Sequence, residues 1–141
     1  MKNVDLRNDS LIKGNLIQGN INNGGIFMAE LKELQSSQDL EQVWQRSTET
    51  PVLLFKHSTT CPISANAFKQ YQTFLESSGS EIYAYMVKVI ENRDISNQIA
   101  EQTGVKHESP QIFLIRDRKV LWHTSHSQIT VDSIGNALEN K

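Results

Sequence analysis

The order of apolar and polar positions along the chain divides it into short blocks, each with its own period. Leu40, Val43 and Trp44 recur at helical spacing, with Ser36 or Ser37 available as the N-cap and Pro51 closing the segment. Val52 to Phe55 is an unbroken apolar run of strand length, as expected for a strand buried on both faces. A helix should follow, with an apolar stripe of Ala67, Phe68, Tyr71, Phe74 and Leu75, and with Gly79 beyond its end. The Val-, Tyr- and Ile-rich stretch from Ile82 to Ile90 predicts a second strand. Asp94 is then expected to cap a short helix bearing Ile95, Ile99 and Ala100, which Gly104 stops. Ser109 and Pro110 lead into a third strand, Gln111 to Ile115. A charged turn from Arg116 to Lys119 returns into a fourth strand at Val120, Leu121 and Trp122. Thr130 is the N-cap of the last helix. Ile129 and Ile134 stand at the two positions of a hydrophobic staple, and Val131, Ile134 and Leu138 share a face.

The expected order is α-β-α-β-α-β-β-α. A helix joins the first two strands, so they should run parallel with a right-handed crossover, and the last two should close the sheet as an antiparallel hairpin. Helices must cover both faces of a four-stranded mixed sheet. That arrangement, with a proline opening the third strand, is the α/β architecture of the thioredoxin-like fold, expected over residues 28–141. Residues 1–27 stand apart. They are rich in Asn and Gly and carry the pair Leu11-Ile12-Lys13-Gly14 and Leu16-Ile17-Gln18-Gly19, too few copies for a stacked repeat. This segment is expected to be a disordered or non-native leader.

Composition narrows the function. The chain of 141 residues suits one domain and carries a net charge of −2, which argues against a nucleic-acid or anionic-membrane partner. No apolar run approaches the roughly 20 residues needed to span a bilayer. The N-terminal text has no continuous apolar block of the secretory kind. A single cysteine, Cys61, cannot form an internal disulfide, so a reducing compartment, the cytoplasm, is expected.

That cysteine sits in the stretch Lys-His-Ser-Thr-Thr-Cys-Pro-Ile-Ser, residues 56 to 64. With Cys61 as N-cap and Pro62 at the first helical position, the sulfur is expected to face the free N–H groups and the positive end of the helix dipole. Both favour the thiolate, the species that attacks disulfides. Lys56 and His57 stand just upstream and add positive potential if they face the sulfur, although a lysine inside the strand can equally point away. Ser64 fills the position three after Cys61, where a dithiol enzyme has its resolving cysteine. A mixed disulfide on Cys61 must therefore be released by another thiol, and the Ser64 hydroxyl is expected to donate a hydrogen bond toward the sulfur. The competing reading is a buried, inert thiol. The position between a strand end and a helix start, outside the carboxyl end of the strand, favours the reactive one.

The motif Thr60-Cys61-Pro62-Ile63-Ser64, with the later Ser109-Pro110, resembles that of the monothiol bacilliredoxins, YtxJ-like members of the thioredoxin-like superfamily. The likeness extends over about residues 28–141. The resemblance implies a thiol–disulfide oxidoreductase of redox homeostasis and stress response that removes bacillithiol from S-bacillithiolated proteins. It implies Cys61 as nucleophile, with Pro62 and Ser64 completing the motif and Pro110 as a cis-proline. Ser109 would then turn its backbone toward the sulfur and pair with an extended substrate. Thr60, Ile63, Ser109, Lys56 and Lys106 are the expected substrate contacts, with His107 a further candidate for a positive rim. Bacillithiol enters as co-substrate rather than bound cofactor. The expected partners are bacillithiolated clients and, for recycling, bacillithiol or a dithiol reductase, acting on a monomer. A second function remains in view: by analogy with monothiol glutaredoxins, an iron–sulfur cluster carrier or redox adaptor using one Cys61 from each of two chains. His123 and His126 lack an evident third ligand, so no metal site is expected.

Overall fold

A computed structural model describes residues 30–78 and 82–140; the leader at 1–27 and the expected helix stop at Gly79 lie outside the described residues. In chain order the elements are β1 (Leu31–Glu33), α1 (Ser37–Ser47), β2 (Val52–His57), α2 (Pro62–Ser77), β3 (Tyr83–Lys88), α3 (Arg93–Thr103), β4 (Gln111–Arg116), β5 (Lys119–Ser125), a 3₁₀ turn (His126–Gln128) and α4 (Val131–Glu139). The sheet order is β1-β3-β2-β4-β5. The strand that reads as a continuous apolar run lies in its centre, and all six of its residues are buried. β1 and β2 both run parallel to β3, while β4 is antiparallel to β2 and to β5.

The expected four-stranded sheet is corrected to five strands. β1 has three residues at the sheet edge, held by pairing with β3 from Leu31↔Ala84 to Glu33↔Met86. It carries no apolar run of its own. Its existence depends on a partner some fifty positions away, which local pattern does not report. The cap of α3 is also corrected: Asn92 is the N-cap, and Asp94 sits in the first turn, where its charge suits the helix dipole.

Other local expectations match. Ser36 caps α1 by accepting from the Asp39 N–H. Gly104 ends α3 at φ +73, a left-handed conformation that favours glycine. Thr130 and Ser133 form a reciprocal capping box on α4, and both staple residues, Ile129 and Ile134, are buried. In the β4–β5 turn Asp117 and Arg118 both have positive φ, the backbone of a type I′ hairpin. Ser47 at the end of α1 anchors that turn, since its carbonyl accepts from Asp117 N and its Oγ from Arg118 N.

Strand alternation splits the core in two. Val52 and Leu54 pack with Leu40, Val43 and Trp44 of α1 and Ile95 and Ile99 of α3. Leu53 and Phe55 pack on the other face with Ala67, Tyr71 and Phe74 of α2 and Ile134 of α4. Phe55 stacks on Tyr71 at 5.1 Å between ring centroids, and the Tyr71 hydroxyl donates to the Tyr85 carbonyl at 3.1 Å. This fixes α2 to the centre of the sheet, and the residue that caps the start of α2 is Cys61.

Candidate active site

β2 ends at His57, a tight turn follows, and α2 starts at Pro62 with Cys61 as its N-cap in extended conformation, φ −106 and ψ 122. The turn closes through Cys61 N–H to the Ser58 carbonyl, 3.2 Å, and the Cys61 carbonyl accepts the first helical bond from Ala65. The Cys61 side chain makes no capping hydrogen bond and is a free, partly exposed thiol. Around it Thr60, Pro62 and Ile63 are exposed, Ile63 to 54%, an unusual exposure for a large apolar side chain on an α2 otherwise packed by its apolar stripe.

Ser64 stands where a resolving thiol would stand, but its hydroxyl is occupied. Ser64 Oγ lies 2.7 Å from His57 Nδ1 and accepts the Ser58 N–H at 2.9 Å. The expected bond from Ser64 to the sulfur is therefore replaced by bonds to β2 and the turn. Ser64 is fully buried. His57 is buried too, stacked on Phe68 at 4.6 Å. Burial holds its pKa below the ordinary 6.5, and the Lys88 ammonium adds to this while Glu91 opposes it. His57 is thus a neutral anchor for the first turn of α2, not a source of positive potential at the sulfur.

The lowered His57 pKa has a defined sign. On acidification the unfolded imidazole takes up its proton near 6.5, while the folded one still refuses it. The fold then loses stability as pH falls from about 6.5 toward the folded midpoint. The His57 ring resonances should titrate below 6.5 in an NMR pH series, and the urea midpoint should drop between pH 7 and pH 5. A His57 midpoint at or above 6.5 would contradict the buried neutral ring.

The second half of the site is the segment before β4. The Ser109–Pro110 peptide bond is cis, and Pro110 is buried. The pairing of Lys56 with Gln111 places Pro110 beside the carboxyl end of β2, from which the Cys61 turn springs. The Ser109 Oγ is buried without a hydrogen-bond partner. Lys106 is exposed, and its carbonyl accepts from the Gln111 amide at 3.1 Å. Lys56 corrects an expectation. Its side chain is 0% exposed and shares the sheet face of Phe113, so it is not a substrate contact. Its Nζ lies 3.1 Å from His107 Nδ1, and burial pulls its pKa down to about 8. The pairing of His57 with Ser64 and of Lys56 with His107 escaped sequence reasoning. The available signal was strand alternation, which sends neighbours 56 and 57 to opposite faces.

With that geometry in place, the family model of the monothiol bacilliredoxin BrxC matches residues 32–134. The chain belongs to the monothiol bacilliredoxin family. A solved structure described as a candidate oxidoreductase with a thioredoxin fold is 39% identical, with a TM-score of 0.70, covering 77% of this chain and 93% of that one. The thioredoxin Mala s 13 of Malassezia sympodialis is 12% identical, with a TM-score of 0.64, covering 79% of this chain and 90% of that one. A point mutant of the thioredoxin of Halobacterium salinarum is 18% identical, with a TM-score of 0.62 and coverages of 79% and 89%. The two thioredoxins share the fold alone. Family membership makes this bacilliredoxin chain part of a thioredoxin-fold oxidoreductase family, with Cys61 as its one thiol. Among the described residues no helix is long and apolar enough to cross a membrane.

Proposed function

We propose that the protein is a monothiol thiol–disulfide oxidoreductase that removes bacillithiol from S-bacillithiolated proteins. The observation that carries this is the lone thiol at the head of α2, with a buried serine, already hydrogen-bonded elsewhere, in the place of a resolving cysteine. The family name supports bacillithiol as the small thiol. The Cys61 thiolate attacks the bacillithiol sulfur of the client's mixed disulfide. A Cys61–bacillithiol S–S bond forms, the client S–S bond breaks, and the client leaves as a thiolate that takes up a proton. No oxidation state changes overall, because one disulfide is exchanged for another. A second bacillithiol thiolate then attacks the adduct, releasing Cys61 and bacillithiol disulfide; a dithiol reductase is the alternative. Thr60, Ile63, Lys106 and the Ser109 backbone are the proposed client contacts, in a cytoplasmic setting.

The test is intact-mass spectrometry after mixing the reduced protein with a bacillithiolated client. The expected result is one bacillithiol mass on Cys61 and a freed client thiol. Equal transfer from a glutathionylated client would remove the specificity for bacillithiol and leave the exchange activity. No adduct with either client would remove the enzymatic reading. Colour with a visible absorbance band after anaerobic purification would instead favour the cluster carrier.

A further inference from the structure

Two neighbouring residues of β2 each grip one of the two segments that flank the thiol. His57, on the α2 face, holds Ser64 and hence the first turn of α2. Lys56, on the opposite face, holds His107 in the segment that leads to Ser109 and Pro110. That segment is braced further. Gln111, 1% exposed and paired with Lys56 across the sheet, accepts from Glu108 N at 3.2 Å and donates to the Lys106 carbonyl at 3.1 Å. Ser96 Oγ of α3 stands 3.4 Å from the same His107 Nδ1. Buried lysines are rare unless paired with a carboxylate, and here the partner of the ammonium is a histidine nitrogen. An apolar residue would fill the place beside Phe113 without desolvating a charge. The lysine's donor therefore has a use that packing does not explain.

We propose that Lys56, acting through His107, is a positioning residue that holds segment 106–110 in register with the Cys61 turn, so that Ser109 is set to receive an extended client. This rests on the exchange reading above. The bond runs from the Lys56 ammonium to the Nδ1 lone pair, which requires His107 to be neutral. The groups around it are Arg93 and Ser96 of α3, Glu108 of the same segment, Gln111 and Phe113 of β4, and the apolar Val87 that pairs with Lys56 in β3. Burial, Lys56 and Arg93 keep the His107 pKa below 6.5, against the pull of Glu108. Protonation of His107 would place a second positive charge 3.1 Å from Nζ and take away the acceptor.

The experiment separates the thiol from the client groove. The full chain and its Lys56→Met, His107→Leu and His107→Gln variants are reacted with dithiodipyridine, a small neutral disulfide that needs only the thiol. They are also reacted with a peptide about ten residues long carrying a bacillithiolated cysteine. Lys56→Met and His107→Leu should lose tenfold or more in the second-order rate constant of exchange toward the peptide and stay within twofold toward dithiodipyridine. His107→Gln, which keeps an acceptor for the ammonium, should recover most of the peptide rate. Peptide rates unchanged in both Lys56→Met and His107→Leu, or equal losses toward both disulfides, would overturn the proposal. A wild-type chain that reacts with dithiodipyridine but not with the peptide would instead overturn the client reading on which it rests.

Discussion

Cys61→Ser is expected to abolish disulfide exchange and, at the same time, to raise stability by about 0.5–1 kcal/mol. The loss follows from chemistry. Cys61 is the only sulfur nucleophile in the chain, and no second thiol stands in the position of Ser64 to substitute for it. A serine hydroxyl is hardly ionised near neutral pH and forms no S–S bond. The gain follows from geometry. Cys61 occupies an N-cap with extended backbone, and its side chain makes no capping bond. Serine is among the preferred N-cap residues because its oxygen accepts an N–H of the first turn, and the Ile63 and Ser64 amides stand there. Pro62 at N1 needs no partner. The check pairs adduct formation by mass spectrometry with a urea melt. Residual transfer in the variant would mean another nucleophile. A loss of stability would mean that the Cys61 sulfur packs in a way a hydroxyl cannot reproduce.

The elements that local chemistry dictates could be read in advance. The run Val52 to Phe55, the stripe of α2, Gly104 and the Thr130 cap each combine a period with a start or stop signal, and each appears in the fold. Position 61 as a helix head could be read as well, because Cys-Pro after a strand leaves few other places for the proline. What escaped was whatever depends on a distant partner. β1 is three residues long and is a strand because β3 lies beside it. Lys56 and His57 read as charges that add positive potential if they face the sulfur, with the lysine equally able to point away, since nothing in nine consecutive letters says that both faces of the strand end are covered. The face of His57 is closed by Phe68 and Ser64, and that of Lys56 by the 106–110 segment. Ser64 misled for a subtler reason. Spacing of three suggests two side chains on one helical face, but an N-cap residue is not helical. From φ −106 and ψ 122 the Cys61 side chain departs along its own direction, while the Ser64 side chain turns inward to β2.

Lys56→Met is expected to stabilise the fold by about 1–3 kcal/mol near pH 7, even though it is expected to impair client exchange. The ceiling is what a fall in pKa from 10.5 to about 8 is worth, about 3.5 kcal/mol at about 1.4 kcal/mol for each tenfold change in ionisation. Lost attraction to the Phe113 ring, 5.9 Å from Nζ, and the lost bond to His107 bring it lower. Methionine fills much of the space of the lysine stem, so little cavity opens. The pH dependence identifies the cause. The folded Lys56 gives up its proton near pH 8 and the unfolded one near 10.5, so between these values the unfolded chain binds more protons and the wild type gains stability as pH rises. The advantage of Lys56→Met should therefore be full at pH 7 and shrink as pH rises from 8 toward 10. Tyr85, on the same sheet face with its pKa pushed up to about 12, does not yet titrate in that range. Urea melts of both proteins at pH 7 and pH 9.5 provide the comparison. A destabilised Lys56→Met, or an advantage that does not change with pH, would show that the ammonium is comfortable where it lies. If the advantage appears together with the tenfold loss toward the bacillithiolated peptide, position 56 joins position 61: at both, the residue that serves exchange is less favourable for the fold than its nearest substitute.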